Sequence, residues 1–231
     1  MSDIADNLQA VQARIRLAAD RAGRLPDTVR LLAVSKTWPL ASVLIAAAAG
    51  QRAFGENYVQ EGVEKAQATS TLGLEWHFIG PLQSNKTRPV AEHFSWVHSV
   101  DREKIAERLS AQRPEALPPL QICVQVNVSG EASKSGCAPA DAAALCAAVA
   151  SLPRLTLRGL MAIPEASDDP AAQQAAFARL RELFADIRST LSLPSFDTLS
   201  MGMSHDLEAA IAEGATIVRI GTAIFGERNY A

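Results

Sequence analysis

Apolar residues along this chain recur with two rhythms, one helical and one of short strand-like runs, and the two alternate from end to end. Ile4, Leu8, Val11, Ile15, Ala18 and Ala22 follow one another at spacings of four and three, which sets them on one face of a helix that Gly23 is placed to stop. Short apolar runs at 31–36, 53–57, 75–80, 96–100, 120–128, 155–163, 198–201 and 217–221 then read as strands. Helical stretches separate them at about 40–49, 58–68, 84–92 and 101–111, from Pro139, from Asp169-Pro170, and at 204–213. Ala142, Leu145, Cys146 and Val149 share one face of the helix that Pro139 opens, and Phe177, Leu180, Phe184 and Ile187 are the inward set of the next.

Eight strands with helical crossovers predict an α/β protein, a (β/α)8 TIM barrel with an extra N-terminal helix, built by residues 1–231 as a single domain. An open doubly wound sheet is the alternative. The breaks in the pattern are loops at 113–119, 129–139 and 164–170. Because side chains alternate along a strand, Lys36 shares a face with Leu32 and Val34, and Arg219 shares one with Ile217 and Gly221. In a barrel both charges point inward at the C-terminal rim, where barrel active sites form.

Composition removes several classes of function. The formal charge is −3 with both signs interspersed, and no basic stripe with interleaved aromatics marks a nucleic-acid partner. Cys123, Cys137 and Cys146 are odd in number and lack CxxC spacing, and Met1-Ser2-Asp3-Ile4 lacks a basic-then-apolar leader, so a reduced, cytoplasmic protein is expected. His77, His93, His98 and His205 form no metal-binding motif, and no metal is expected. The longest apolar stretch, Leu40 to Gly50, is far too short for a bilayer, which needs about 20 residues, and no membrane partner is expected.

Candidate chemistry begins with Lys36 at the end of Leu31-Leu32-Ala33-Val34-Ser35-Lys36. A lysine that ends a buried strand can lose solvation, which lowers its pKa and frees a neutral amine for Schiff-base formation with an aldehyde; the ordinary alternative is a solvated surface lysine. Met201-Gly202-Met203-Ser204 before a helix and Arg219-Ile220-Gly221-Thr222 after a strand could each cradle a phosphate. Simpler readings stand beside these: Ser204 as the helix N-cap, Thr222 as a strand end, Arg219 as the partner of a neighbouring carboxylate. His77 reads as a satisfied core or rim histidine, and Glu56 as a general base or a partner of Lys36 or Arg52, with pairing the leading reading. Lys134-Ser135-Gly136 reads as a solvated turn that could also touch an anion.

Six motifs in one order closely resemble the pyridoxal phosphate homeostasis protein family, also called YggS/PROSC. They are Ala33-Val34-Ser35-Lys36-Thr37, Phe54-Gly55-Glu56-Asn57, the run from Trp76 to Lys86, Gly159-Leu160-Met161, Leu199 to Ser204, and Arg219 to Gly226. The resemblance covers nearly the whole chain. It implies a barrel of the alanine racemase N-terminal type with pyridoxal 5'-phosphate (PLP) held as an imine on Lys36. It further implies Arg219 facing the pyridine nitrogen, Ser204, Gly221 and Thr222 around the phosphate, and Asn57 and Met161 near the cofactor.

The expected function is then PLP homeostasis, meaning storage, buffering or delivery of this form of vitamin B6 without robust turnover. Apo PLP enzymes or salvage enzymes are the implied partners, and a monomer is the expected state. An amino-acid racemase is the principal alternative; racemases of this barrel type carry a further C-terminal β-domain with a catalytic tyrosine, whereas Tyr58 and Tyr230 are the tyrosines here and the chain ends soon after Gly221. A Schiff-base aldolase using Lys36 without cofactor is a third reading, and colour separates it from a PLP protein.

Overall fold

Each strand-like run forms a parallel strand, and the last pairs with the first. The computed structural model describes residues 4–129 and 135–227; Lys134 and Tyr230, both singled out in the sequence, lie outside the described residues. The strands are β1 (Arg30–Val34), β2 (Ala53–Glu56), β3 (Glu75–Phe78), β4 (Trp96–Val100), β5 (Leu120–Gln125), β6 (Leu155–Met161), β7 (Thr198–Ser200) and β8 (Ile217–Ile220). They close in sequence order, with Leu32 opposite Arg219 where β1 meets β8. That pairing excludes the open sheet.

Helices cover the outside: α1 (Ile4–Arg21), α2 (Leu40–Ala48), α3 (Val59–Ala68), α4 (Thr87–His93), α5 (Glu103–Gln112), α6 (Ala142–Ser151), α7 (Pro170–Leu191), α8 (Leu207–Ala212) and a one-turn α9 (Thr222–Phe225). The start of α7 is fixed locally, since Pro170 has no N–H to place and Asp169 Oδ1 accepts from Ala171 N at 3.0 Å.

The apolar pattern sorts into two layers. Helix faces and outward strand residues form one continuous core, which includes the predicted inward sets of α6 and α7. Leu32, Val34, Ala53, Ile79, Trp96, Cys123, Met161 and Ile217 form a second cluster inside the barrel. Where β6 and β7 meet, Gly159 has φ +155, and a Cβ there would lie 1.8 Å from Thr198 O, so only glycine lets the strands approach.

The N-terminal helix is tied to the end of the chain that the candidate site uses. It buries Leu8, Val11, Ile15, Ala18 and Ala19, and its polar residues reach across: Asn7 Nδ2 donates to Ile224 O at 2.9 Å and Arg14 Nη1 to Ser204 O at 2.7 Å.

Several boundaries differ from the sequence reading. β1 stops at Val34 and β2 at Glu56, so Lys36 and Asn57 lie in the loops just beyond. The stretch 84–92 divides into a 3-10 turn and α4, and α8 starts at Leu207 rather than at 204. Ser204 is therefore not an N-cap; Asp206 stands before the helix, and its Oδ1 accepts from Met203 N at 2.6 Å to close the preceding turn. Thr222 opens α9 instead of ending a strand.

Candidate functional site

A tight turn carries Lys36 off the end of β1. Trp38 N donates to Ser35 O at 3.1 Å, and Thr37 takes φ +67, a left-handed conformation that costs a β-branched residue of order 1–3 kcal/mol. A buried polar cluster overdetermines it. Ser35 Oγ donates to Glu56 Oε1 at 2.6 Å, Lys65 Nζ donates to Ser35 O at 2.8 Å and to both Glu56 Oε1 and Glu61 Oε1 at 2.7 Å, and Thr37 N donates to Glu61 Oε1 at 2.7 Å. Burial raises the pKa of Glu56, with Lys65 and Ser35 pulling against it. The residues on either side of Lys36 are thus held from β2 and α3.

Across the rim, Arg219 comes off β8 into the interior and is only 4 % exposed. Its Nη1 donates to Ser200 Oγ at 2.8 Å and its Nη2 to Ala162 O at 2.9 Å. Burial lowers its pKa to about 10, which leaves it cationic at neutral pH. Next to it the chain turns at Gly221 into α9, where the first N–H groups have no acceptor within the helix.

Lys36, Asn57, Ser204, Arg219, Gly221 and Thr222 line one cavity of about 200 Å³ at the C-terminal mouth of the barrel. Clefts of about 450 and 520 Å³ lie at the opposite mouth, beside Arg52 and Glu75, and hold none of these residues. Size does not select the site here; convergence of an amine, a buried guanidinium and hydroxyls does.

Residues 7–229 match the family described as alanine racemase, N-terminal domain. The chain is 67% identical over 230 residues to the pyridoxal phosphate homeostasis protein of Pseudomonas aeruginosa, covering 100% of this chain and 98% of that one. It is 56% identical to the protein of the same name from Escherichia coli, covering 100% and 99%. This chain belongs to the pyridoxal phosphate homeostasis protein family. Among solved structures, PipY of Synechococcus elongatus with PLP bound superposes with a TM-score of 0.85 at 40% identity, covering 96% of this chain and 100% of that one.

Six of the seven residues that the family resemblance marked in the sequence meet at the rim cavity. Met161 is the exception: the inward alternation of β6 sets it in the barrel-interior cluster, fully buried, and it does not line the cavity. Glu56 pairs with Lys65 rather than with Lys36 or Arg52. His77 is fully buried and bonded at both ring nitrogens, a satisfied core histidine. Met203, part of the expected cradle, lies on the cavity wall; Ile79, Ile163 and His205 beside it, and Lys65 and Ser200 behind it, had no role marked in the sequence. Ser200 left one signal, a hydroxyl inside the apolar run Leu199-Ser200-Met201; Lys65 left none, since a lysine on an amphipathic helix reads as solvated.

Proposed function

We propose that this family member binds pyridoxal 5'-phosphate in the rim cavity, held as an imine on Lys36, and stores, buffers or delivers it without turning over amino acids. The observation that carries this reading is the meeting of Lys36 with the buried, cationic Arg219 in one cavity. PLP found in the PipY relative supports the choice of ligand.

The residues present fit the group. Asn57 Oδ1 is buried without a hydrogen-bond partner, so a donor on a ligand would satisfy it. Ser204 and Thr222 add hydroxyls beside the turn at Gly221, a donor set suited to a phosphate, and Arg14 holds the Ser204 backbone in place. Gly80 keeps Asn57 close, because a Cβ at that position would lie 2.2 Å from Asn57 O.

When bound, PLP supplies an aldehyde and a pyridine ring able to accept electron density. Arg219 decides how far that ability is used. A guanidinium only donates, so it bonds an unprotonated ring nitrogen and excludes a protonated one. The ring is then a poor electron sink, which favours holding the cofactor over racemase, transaminase or decarboxylase chemistry. Apo PLP enzymes or salvage enzymes are the partners on this reading, and a monomeric barrel is the acting unit.

The test starts from purified, PLP-loaded protein. Its absorbance band should be reducible by borohydride, with the label mapping to Lys36; Lys36→Ala should lose the band and keep the fold. Mixed with an apo PLP enzyme, the loaded protein should restore that enzyme's activity, and L- and D-amino acids should yield no product beyond the rate with free PLP. Turnover of one amino acid that disappears in Lys36→Ala would establish the racemase-type alternative, and reduction onto Lys86 would reject the assignment of Lys36.

A further inference from the structure

A chain of hydrogen bonds runs through the barrel interior from Arg219 to the opposite mouth. Arg219 Nη1 lies 2.8 Å from Ser200 Oγ, Ser200 Oγ 2.7 Å from His98 Nδ1, His98 Nε2 2.8 Å from His77 Nδ1, and His77 Nε2 2.6 Å from Glu75 Oε1. Glu75 in turn pairs with Arg30 Nη1 at 2.7 Å, at the start of β1. Ser200, His98 and His77 are fully buried, and the two histidines enter from adjacent strands. Trp96 stacks on His77 at 5.2 Å and 8°, and Arg158 lies 4.9 Å over the Trp96 ring.

The direction of every bond follows from the two ends. Arg219 can only donate, so the Ser200 hydroxyl, having accepted from it, gives its own hydrogen to His98 Nδ1. With a proton on that nitrogen the hydroxyl would accept twice, and its own hydrogen would have no acceptor among the described residues. From the other end, the Glu75 carboxylate can only accept, so His77 carries its proton on Nε2 and accepts at Nδ1. His98 must then donate from Nε2, the tautomer already required by the Arg219 end.

Among the described residues no carboxylate lies within ion-pair distance of Arg219, which is 4 % exposed; the Asp206 carboxylate acts on it only from farther off. A buried cation needs each donor placed and a negative charge to answer it. The anion joined to it by hydrogen bonds is Glu75, at the far mouth.

We propose that Ser200, His98, His77 and Glu75 are positioning residues for Arg219: an oriented relay, anchored on the Glu75–Arg30 pair, that fixes the guanidinium as a donor aimed at the ligand ring. The proposal rests on the reading that Arg219 faces the ring nitrogen of PLP. It assigns that reading a support system spanning the whole barrel, and it gives the buried histidines a purpose other than filling space.

The relay is tested first in the apo protein. With 15N-labelled histidine, His77 and His98 should both be neutral Nε2–H tautomers near neutral pH; a Nδ1–H or cationic form of either ring overturns the relay, whatever PLP does. Binding PLP should shift the ring nitrogens of His98 and His77 while those of the half-buried His93, outside the barrel interior on α4, stay in place. Glu75→Leu, checked for folding by circular dichroism, should move the His98 resonances and weaken PLP binding about tenfold or more, the scale of a lost charge-assisted hydrogen bond. Glu75→Gln still accepts from His77 but without the charge, so it should keep the His98 and His77 tautomers and lose less affinity than Glu75→Leu, on the same scale. A folded Glu75→Leu protein with parental affinity and an unchanged 15N shift of the bound pyridine nitrogen overturns the coupling. If Arg219→Leu leaves affinity and that shift unchanged while both tautomers stand, the placement of Arg219 at the ring fails instead, and the two failures are distinguishable.

Discussion

Lys65 Nζ lies 2.7 Å from Glu56 Oε1 in a pair that is 6 % and 0 % exposed, directly behind the turn that carries Lys36. A buried pair of this kind contributes little over an apolar replacement, but removing one partner strands the other charge. Its use is positional: the ammonium joins β2, α3 and the end of β1 through one atom.

Lys65→Met should therefore lower stability by about 3–5 kcal/mol, because the Glu56 carboxylate stays buried without its cation. Urea unfolding measures this. The double variant with Glu56→Gln should recover part of the loss; equal stability of parent and Lys65→Met would mean that the pair does not form.

Thr37→Gly should raise thermal stability. Release of a strained φ of +67, of order 1–3 kcal/mol, exceeds the extra unfolded-state entropy of glycine, about 0.4–1 kcal/mol. The same change should slow borohydride trapping on Lys36, since a freer turn presents the amine less consistently. A fall in melting temperature would show that the conformation of Thr37 is not strained.

Acid should destabilise the fold in two windows. Burial holds His77 and His98 below the ordinary histidine value of 6.5; at His77 the Glu75 carboxylate opposes this and Arg30 adds to it, and at His98 His77, Arg219 and Arg30 add to it. The unfolded chain binds more protons, so their contribution is complete above pH 6.5 and declines as pH falls below it. Burial alone would raise Glu75, but the hydrogen bond from His77 and the charge of Arg30 hold it at about 2, so its contribution is lost between 4.5 and about 2. Glu56, shifted upward, acts with the opposite sign. Urea midpoints measured against pH should fall below about 6.5 in the parent and fall less steeply in His98→Leu.

Binding should depend on the phosphate group. Ser204→Ala should weaken PLP about tenfold and leave pyridoxal unaffected, as expected for a lost charge-assisted bond. Arg14→Ala should act in the same direction by releasing Ser204 O. Absorbance titration reads both, and equal losses for the two vitamers would remove Ser204 from the phosphate contacts.

Much of the fold was legible in the chain because the relevant physics is local. A period of 3.6 or 2 sets which face of an element is apolar, Gly23 and Asp169-Pro170 mark helix ends, and eight strands with helical crossovers have few ways to bury both sheet faces. Strand parity turned Arg219 to the interior, Lys36 reaches the same cavity from the turn beyond β1, and six ordered motifs added the ligand class. What the sequence could not hold was distance. Glu56 and Lys65 are nine residues apart, while His98 and Ser200 are 102 apart; neither partnership has a periodicity to announce it. Only barrel closure decided that Met161 packs inside rather than on the cavity, that Lys65 is buried rather than solvated, and that two histidines complete a path from Arg219 to Glu75. Periodicity fixes the side of a strand on which a residue lies, and the register between strands decides what it meets there.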